Sequence, residues 1–203
     1  MDRGGGETEH ISYAREGFFM AGAILRLPRK RYRFHIVRET SLIEQLTDTL
    51  PDDEVFKLIS AGGFSSIGFV RFIADRTHIK TLTATTLRVG AKQLEVLDVL
   101  KRQGKLDHVR FVIGSVMRHN RQGGKTYEYY EQFVKTCEKH GWEYIVQSNH
   151  SKLLLFDTDN GKFVLETSSN LNENPSIEQF SFERNAQLYD FYENAFGELF
   201  GGA

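Results

Sequence analysis

The sequence predicts an α/β fold, a mixed β-sheet flanked by helices on both faces. Two observations carry this. Apolar, β-branched strands alternate with amphipathic helices through the middle of the chain, the pattern of a largely parallel sheet. Two strands near the end are then joined by a short connection containing Asn-Gly, which adds an antiparallel hairpin and makes the sheet mixed.

The elements follow in order. Residues 1–15 are polar and Gly-rich and read as a flexible arm, with a single domain expected over 16–203. The run from Gly17 to Leu25 is apolar but shorter than the roughly 18 residues of a membrane span, and reads as a buried strand or the edge of the core. Residues 33–37 alternate as a strand. Ser41 and Glu44 form a capping-box pair that opens a helix stopped by Pro51. Strands are expected at 55–60, 80–86 and 109–113, and helices at 64–75 and 91–103. A helix over 127–140 should be closed by Gly141, and a strand should follow at 142–147. The hairpin pairs 152–156 with 163–166, joined by Asp157-Thr158-Asp159-Asn160-Gly161, in which Asn160-Gly161 is the turn signal. A strand at 177–182 and a helix at 186–200 complete the pattern.

Composition narrows the function classes. Of 203 residues, 40% are hydrophobic and 26% charged, an ordinary globular balance rather than that of a disordered chain. A net charge of −1 means that any nucleic-acid binding needs a local basic patch. The single cysteine, Cys137, cannot form an internal disulfide. It reads as a packed thiol, and the expectation is a cytoplasmic protein without a membrane anchor.

The chemistry concentrates between residues 150 and 172. His150, Lys152 and Asp157 have the spacing H-x-K-x4-D. After the hairpin come Thr167-Ser168-Ser169-Asn170-Leu171-Asn172, close to G-S-x-N-L-N. Residues two apart on a strand face the same way, so an imidazole would lie beside a fixed cation, as attack on a phosphodiester requires. These two segments, in this order, resemble one copy of the signature of the phospholipase D superfamily, in its single-motif, endonuclease-like form. Thr167 departs from that pattern by standing where relatives have Gly, and the hairpin makes the connection three residues longer than usual.

The resemblance implies a phospholipase D-like fold and a metal-independent phosphodiesterase that needs no cofactor. His150 would be the nucleophile and form a phosphohistidine. Lys152, Ser168 and Asn170 would hold the phosphate oxygens. Asp157 would be structural and shape the turn. An acid should orient the imidazole; Glu178 fits its position better than Glu183. One motif copy supplies one histidine, so the family's arrangement would be a homodimer with both copies at the two-fold axis. His78 and Lys80 repeat the H-x-K spacing without the rest of the signature, and His78 reads as a turn residue between helix and strand.

A substrate path is suggested by the basic loop containing Arg118, His119, Arg121 and Lys125, followed by Tyr127, Tyr129 and Tyr130, which could stack on bases. An ordinary solvated loop is the competing reading. Arg29–Arg33 and Ala61–Ser65 are weaker candidates, more readily explained by solvation and tight packing. The leading function is a nuclease acting on DNA or RNA. The alternatives are a phospholipase or cardiolipin-type hydrolase, and a catalytically silent nucleic-acid-binding or effector protein on the same fold.

Overall fold

The structure, a computed structural model, describes residues 49–60, 64–118, 129–172 and 176–201, and the backbone of 31–37. The expected 1–15 arm, the 17–25 apolar run and the 41–51 helix fall wholly or mainly outside these residues. Eight strands form one mixed sheet: β1 (Arg31–Val37), β2 (Glu54–Ser60), β3 (Ile79–Thr86), β4 (Leu106–Gly114), β5 (Glu143–Gln147), β6 (Leu153–Thr158), β7 (Gly161–Thr167) and β8 (Glu178–Arg184). Their spatial order is β1-β2-β8-β7-β6-β3-β4-β5. The outer pairs β1–β2, β3–β4 and β4–β5 are parallel; β6, β7 and β8 run antiparallel to their neighbours.

Among the described residues, four helices cover the sheet: α1 (Ile67–Ala74), α2 (Ala91–Arg102), α3 (Tyr130–His140) and α4 (Ala186–Gly197). The first three share one face. Phe69 and Phe72 of α1, Leu94 and Leu97 of α2, and Phe133 and Cys137 of α3 bury themselves against Phe56, Leu82, Phe111, Leu154, Phe156 and Phe182. Aromatic pairs knit this layer, with Phe69 and Phe182 centroids at 5.1 Å and Phe111 and Phe133 at 5.1 Å. The other face packs on α4, through Leu155 and Val164 against Leu188 and Tyr189, and through Leu153 and Val112 against Phe196. Leu153-Leu154-Leu155-Phe156 is therefore apolar throughout because β6 is central and buried on both sides. Burial also holds the Cys137 thiol up at about 12, the packed, unreactive thiol expected of it.

Local chemistry sets the element ends. Gly141 closes α3 with φ +64°, a conformation costly for any residue bearing a Cβ. Asn185 caps α4 by accepting from the Leu188 amide. The β6–β7 turn is Asp159-Asn160, with Gly161 at φ +116°. A Cβ on Gly161 would meet Arg184 Nε at 2.7 Å. Thr158 Oγ1 donates to the Gly161 carbonyl at 2.7 Å and accepts from Asn160 N–H at 3.1 Å.

Candidate functional site

Strand register brings both motif halves to one end of the sheet. Thr85 of β3 pairs with Leu153, Leu153 with Glu166, Thr167 with Phe180, and Ser60 with Glu178. The row therefore combines the carboxyl ends of β2, β3, β4, β5 and β7 with the starts of β6 and β8. Beneath it lies a band of buried polar side chains that includes Ser60, Ser66, Thr85, Thr86, Gln93, Ser169 and Glu178. Such groups persist in a core only when hydrogen-bonded, so this end of the sheet is built around a polar network.

His150 lies just before β6 rather than within it, and its side chain is exposed. Four histidines have side chains among the described residues. Three are tied to carboxylates: His78 to Asp107 at 2.7 Å, His108 to Glu143 at 3.1 Å and His140 to Asp98 at 2.7 Å. The ring of His150 makes no hydrogen bond among the described residues. His78 sits between α1 and β3, at the opposite end from the motif, which is the turn position expected of it. The Asp107 hydrogen bond there raises the His78 pKa.

Lys152, the first residue of the expected strand, also precedes β6 by one residue, yet its carbonyl accepts from Thr167 N–H at 3.2 Å and so continues the ladder. Its ammonium donates to the His150 backbone carbonyl at 3.0 Å, which ties the cation to the same turn of chain. Asn149 and Ser151 turn inward. Asn149 Nδ2 donates to the Val112 carbonyl at 2.8 Å, and the Ser151 and Thr85 hydroxyls share a hydrogen bond of 2.9 Å. Between and beyond these inward residues, His150 is exposed and Lys152 is half-buried.

Across the gap, Asn170 Oδ1 accepts from the Leu87 amide at 3.2 Å, which fixes the carboxamide and turns its NH2 away from that amide. Ser168 is exposed, and its hydroxyl donates to Glu178, which is 5% exposed, while accepting from Gln179 N–H at 3.0 Å. Glu178 thus engages Ser168 rather than His150. Glu183 is buried and accepts from Asn185 Nδ2 at 2.9 Å beside the α4 cap, a structural position. Thr167 in place of Gly is accommodated: it is the last residue of β7, needs no left-handed backbone, and its hydroxyl donates to the Gln179 carbonyl at 2.9 Å.

Asp157 is not part of this cluster. It lies inside β6, paired with Lys162 and Thr81, about 13 Å along the strand from Leu153 at roughly 3.3 Å per residue. The hairpin turn is shaped by Thr158 and Gly161 instead, because the turn begins two residues after Asp157. Arg118 is exposed just past the carboxyl end of β4, at the motif end of the sheet. His119, Arg121, Lys125 and Tyr127 lie outside the described residues. Tyr130 stacks on Phe133, with centroids 6.4 Å apart, and belongs to the core layer.

The sequence reading missed the residues that join the two halves. Thr85 Oγ1 accepts from Leu153 N–H at 3.0 Å and holds the first half. Thr86 Oγ1 accepts from Leu171 N–H at 3.0 Å and holds the second. Their only signal in the sequence is a Thr-Thr pair ending a strand. Among the described residues, no three His, Cys, Asp or Glu side chains are grouped to hold a metal ion, and no helix is long and apolar enough to cross a membrane.

No protein-family model and no curated protein matches the chain. Solved structures do match. A phosphatidylserine synthase from Haemophilus influenzae Rd KW20 aligns with 71% of this chain and 38% of its own, at 15% identity and a TM-score of 0.46. A polyphosphate kinase from Porphyromonas gingivalis aligns with 70% of this chain and 26% of its own, at 12% identity and a TM-score of 0.51. The chain thus spans well under half the length of either protein. At such identities the likeness is one of fold, and the fold is of the phospholipase D type.

Proposed function

We propose that the chain is a phosphodiesterase that works through a phosphohistidine, as a nuclease and as a homodimer. The observation that carries this is the contrast among the histidines. Among the described side chains three are held by carboxylates, while His150 presents a ring without a hydrogen bond, with the Lys152 ammonium on its backbone carbonyl and Asn170 on the other motif half at the same end of the sheet. The likeness in fold to a polyphosphate kinase, by name a phosphoryl-transfer enzyme, supports the same chemistry.

In the first step a neutral ring nitrogen of His150 attacks phosphorus, a P–N bond forms and the P–O bond to the leaving alcohol breaks. The leaving oxygen takes a proton from an acid on the far side, supplied by His150 of a second copy. In the second step that histidine accepts a proton from water, the water oxygen bonds phosphorus and the P–N bond breaks. Lys152 and Asn170 bear the charge on the non-bridging oxygens. Ser168 joins them when its hydroxyl rotates and donates to the phosphate in place of Glu178. The exposed Arg118 and the basic residues after it would guide a nucleic-acid backbone toward this end of the sheet.

The test is hydrolysis of labelled single- and double-stranded DNA, RNA and phospholipid vesicles, in EDTA, by the wild type and by His150→Ala. Nucleic-acid cleavage that survives the chelator and disappears with His150 is expected. Cleavage that requires added Mg²⁺, or that persists in a pure His150→Ala preparation, refutes the mechanism. Hydrolysis of lipid alone refutes the nuclease assignment and keeps the chemistry.

A further inference from the structure

We infer that Asn149 is the positioning residue for His150. The inference rests on reading His150 as the nucleophile and adds the group that sets where its ring stands. Asn149 Nδ2 donates to the carbonyls of Val112 at 2.8 Å, two residues before the end of β4, and Thr86 at 3.4 Å, the last residue of β3. Its Oδ1 accepts from Ser151 N–H at 2.9 Å and from the Ser151 hydroxyl at 2.6 Å. Two carbonyls at one end of the carboxamide and an amide N–H at the other leave a single orientation.

The bond from Ser151 N–H to Asn149 Oδ1 spans two residues and forms an Asx-turn whose central residue is His150. The turn therefore dictates the direction in which the His150 side chain leaves the backbone. Ser151 is anchored in turn. Its one hydroxyl proton goes to Asn149, so the Thr85 hydroxyl donates to Ser151, and Thr85 Oγ1 accepts from Leu153 N–H. This chain of hydrogen bonds links β6, β3 and β4. The imidazole has no hydrogen bond of its own among the described residues, so the backbone alone places it. In-line attack demands close placement, and an error of about 1 Å costs on the order of 100-fold in rate.

The test compares Asn149→Ala with Thr158→Ala. Thr158 also makes two short-range hydrogen bonds, but at the far end of the same strand. With bis(p-nitrophenyl) phosphate as the probe, Asn149→Ala should lose roughly 10- to 100-fold in kcat while KM stays within about two-fold. Thr158→Ala should keep wild-type values. In parallel, NMR of the His150 ring, identified by its loss in His150→Gln, should show the resonance displaced in Asn149→Ala and unmoved in Thr158→Ala. Wild-type kcat in Asn149→Ala, a loss confined to KM, or an unmoved ring resonance overturns the inference. If no preparation hydrolyses the probe, the nucleophile reading is what fails, and the ring resonance still decides whether Asn149 positions the histidine. If Asn149→Ala does not fold, Ser151→Ala replaces it: a smaller loss of kcat in the same direction supports the inference, and unchanged kcat with an unmoved ring overturns it.

Discussion

Replacing Thr86 with Val tests whether the two motif halves are held together by β3. The side chains are nearly isosteric and Thr86 is 1% exposed, so packing is retained and the change is one of hydrogen bonds. The Thr86 hydroxyl accepts from Leu171 N–H at 3.0 Å and donates to the Arg88 carbonyl at 2.9 Å. Taking a partner from a buried N–H costs about 1–3 kcal/mol, and losing the hydroxyl–carbonyl bond about 0.5–1.5 kcal/mol. Together they predict a loss of roughly 2–4 kcal/mol. At about 2–4 °C per kcal/mol for a domain of this size, the melting point should fall by roughly 4–16 °C. Urea unfolding followed by fluorescence of the single, buried Trp142 measures this directly. Thr85→Val should cost a comparable amount, through the Leu153 amide and the Ser151 hydroxyl. The two should part in function. Thr85→Val should lower kcat, because Thr85 holds the half that carries His150. Thr86→Val should raise KM, because Thr86 holds the half that carries Asn170. A loss below about 0.5 kcal/mol for Thr86→Val, within the range of an ordinary surface change, would refute the argument that these hydroxyls join the halves.

If the active unit is a dimer with a composite site, mixing wild-type and His150→Ala chains through unfolding and refolding should give heterodimers with little activity, read as activity falling faster than the wild-type fraction. Activity proportional to that fraction refutes it. Asp157→Ala should leave kcat unchanged and cost a little stability, because Asp157 lies within β6 away from the motif end; a large loss of kcat counts against this placement. Hydrogen bonds first from Lys139 and then from His140 lower the Asp98 pKa from its ordinary 3.8 to about 2. A depressed carboxylate stabilises the fold above its unfolded pKa and loses that contribution as pH falls through the folded one. Asp98→Asn should therefore be less stable than wild type near pH 6, with the gap closing between about pH 4 and 2. A gap that does not change over that window refutes the assignment.

The sequence pattern revealed those parts of the architecture whose causes are local. The hairpin was legible from Asn160-Gly161, and the four apolar residues starting β6 marked a strand, whose burial on both faces the assembled sheet supplies. The helix preceding β3 begins at Ile67 rather than Phe64, because Phe64 turns edge-on to Phe180, with centroids 5.1 Å apart, instead of continuing the helical stripe. Strand order was not legible: pairing of β8 with β2 joins residues more than a hundred positions apart, and no local pattern encodes it. Within the site, His150, Lys152 and Asn170 stand out by residue type and spacing. Asn149, Thr85 and Thr86 act through hydrogen bonds to distant backbone, so their importance is a property of the assembled sheet. Glu178 was placed correctly at the start of its strand, but its partner, Ser168, is settled by the β7–β8 register.

The strand order also has a consequence for how the molecule is made. β2 and β3 are consecutive in sequence but separated in the sheet by β8, β7 and β6. A growing chain that has reached Gln147 holds two disconnected pieces, β1–β2 and β3–β4–β5, each with an open inner edge. The meander from Leu153 to Arg184 fills the slot between them, closes both edges and delivers the two motif halves in the same event. Until then the nascent chain exposes unpaired strand edges and is at its most prone to association. It also has its two motif halves apart, so whatever chemistry that end of the sheet performs would be withheld until β8 is in place.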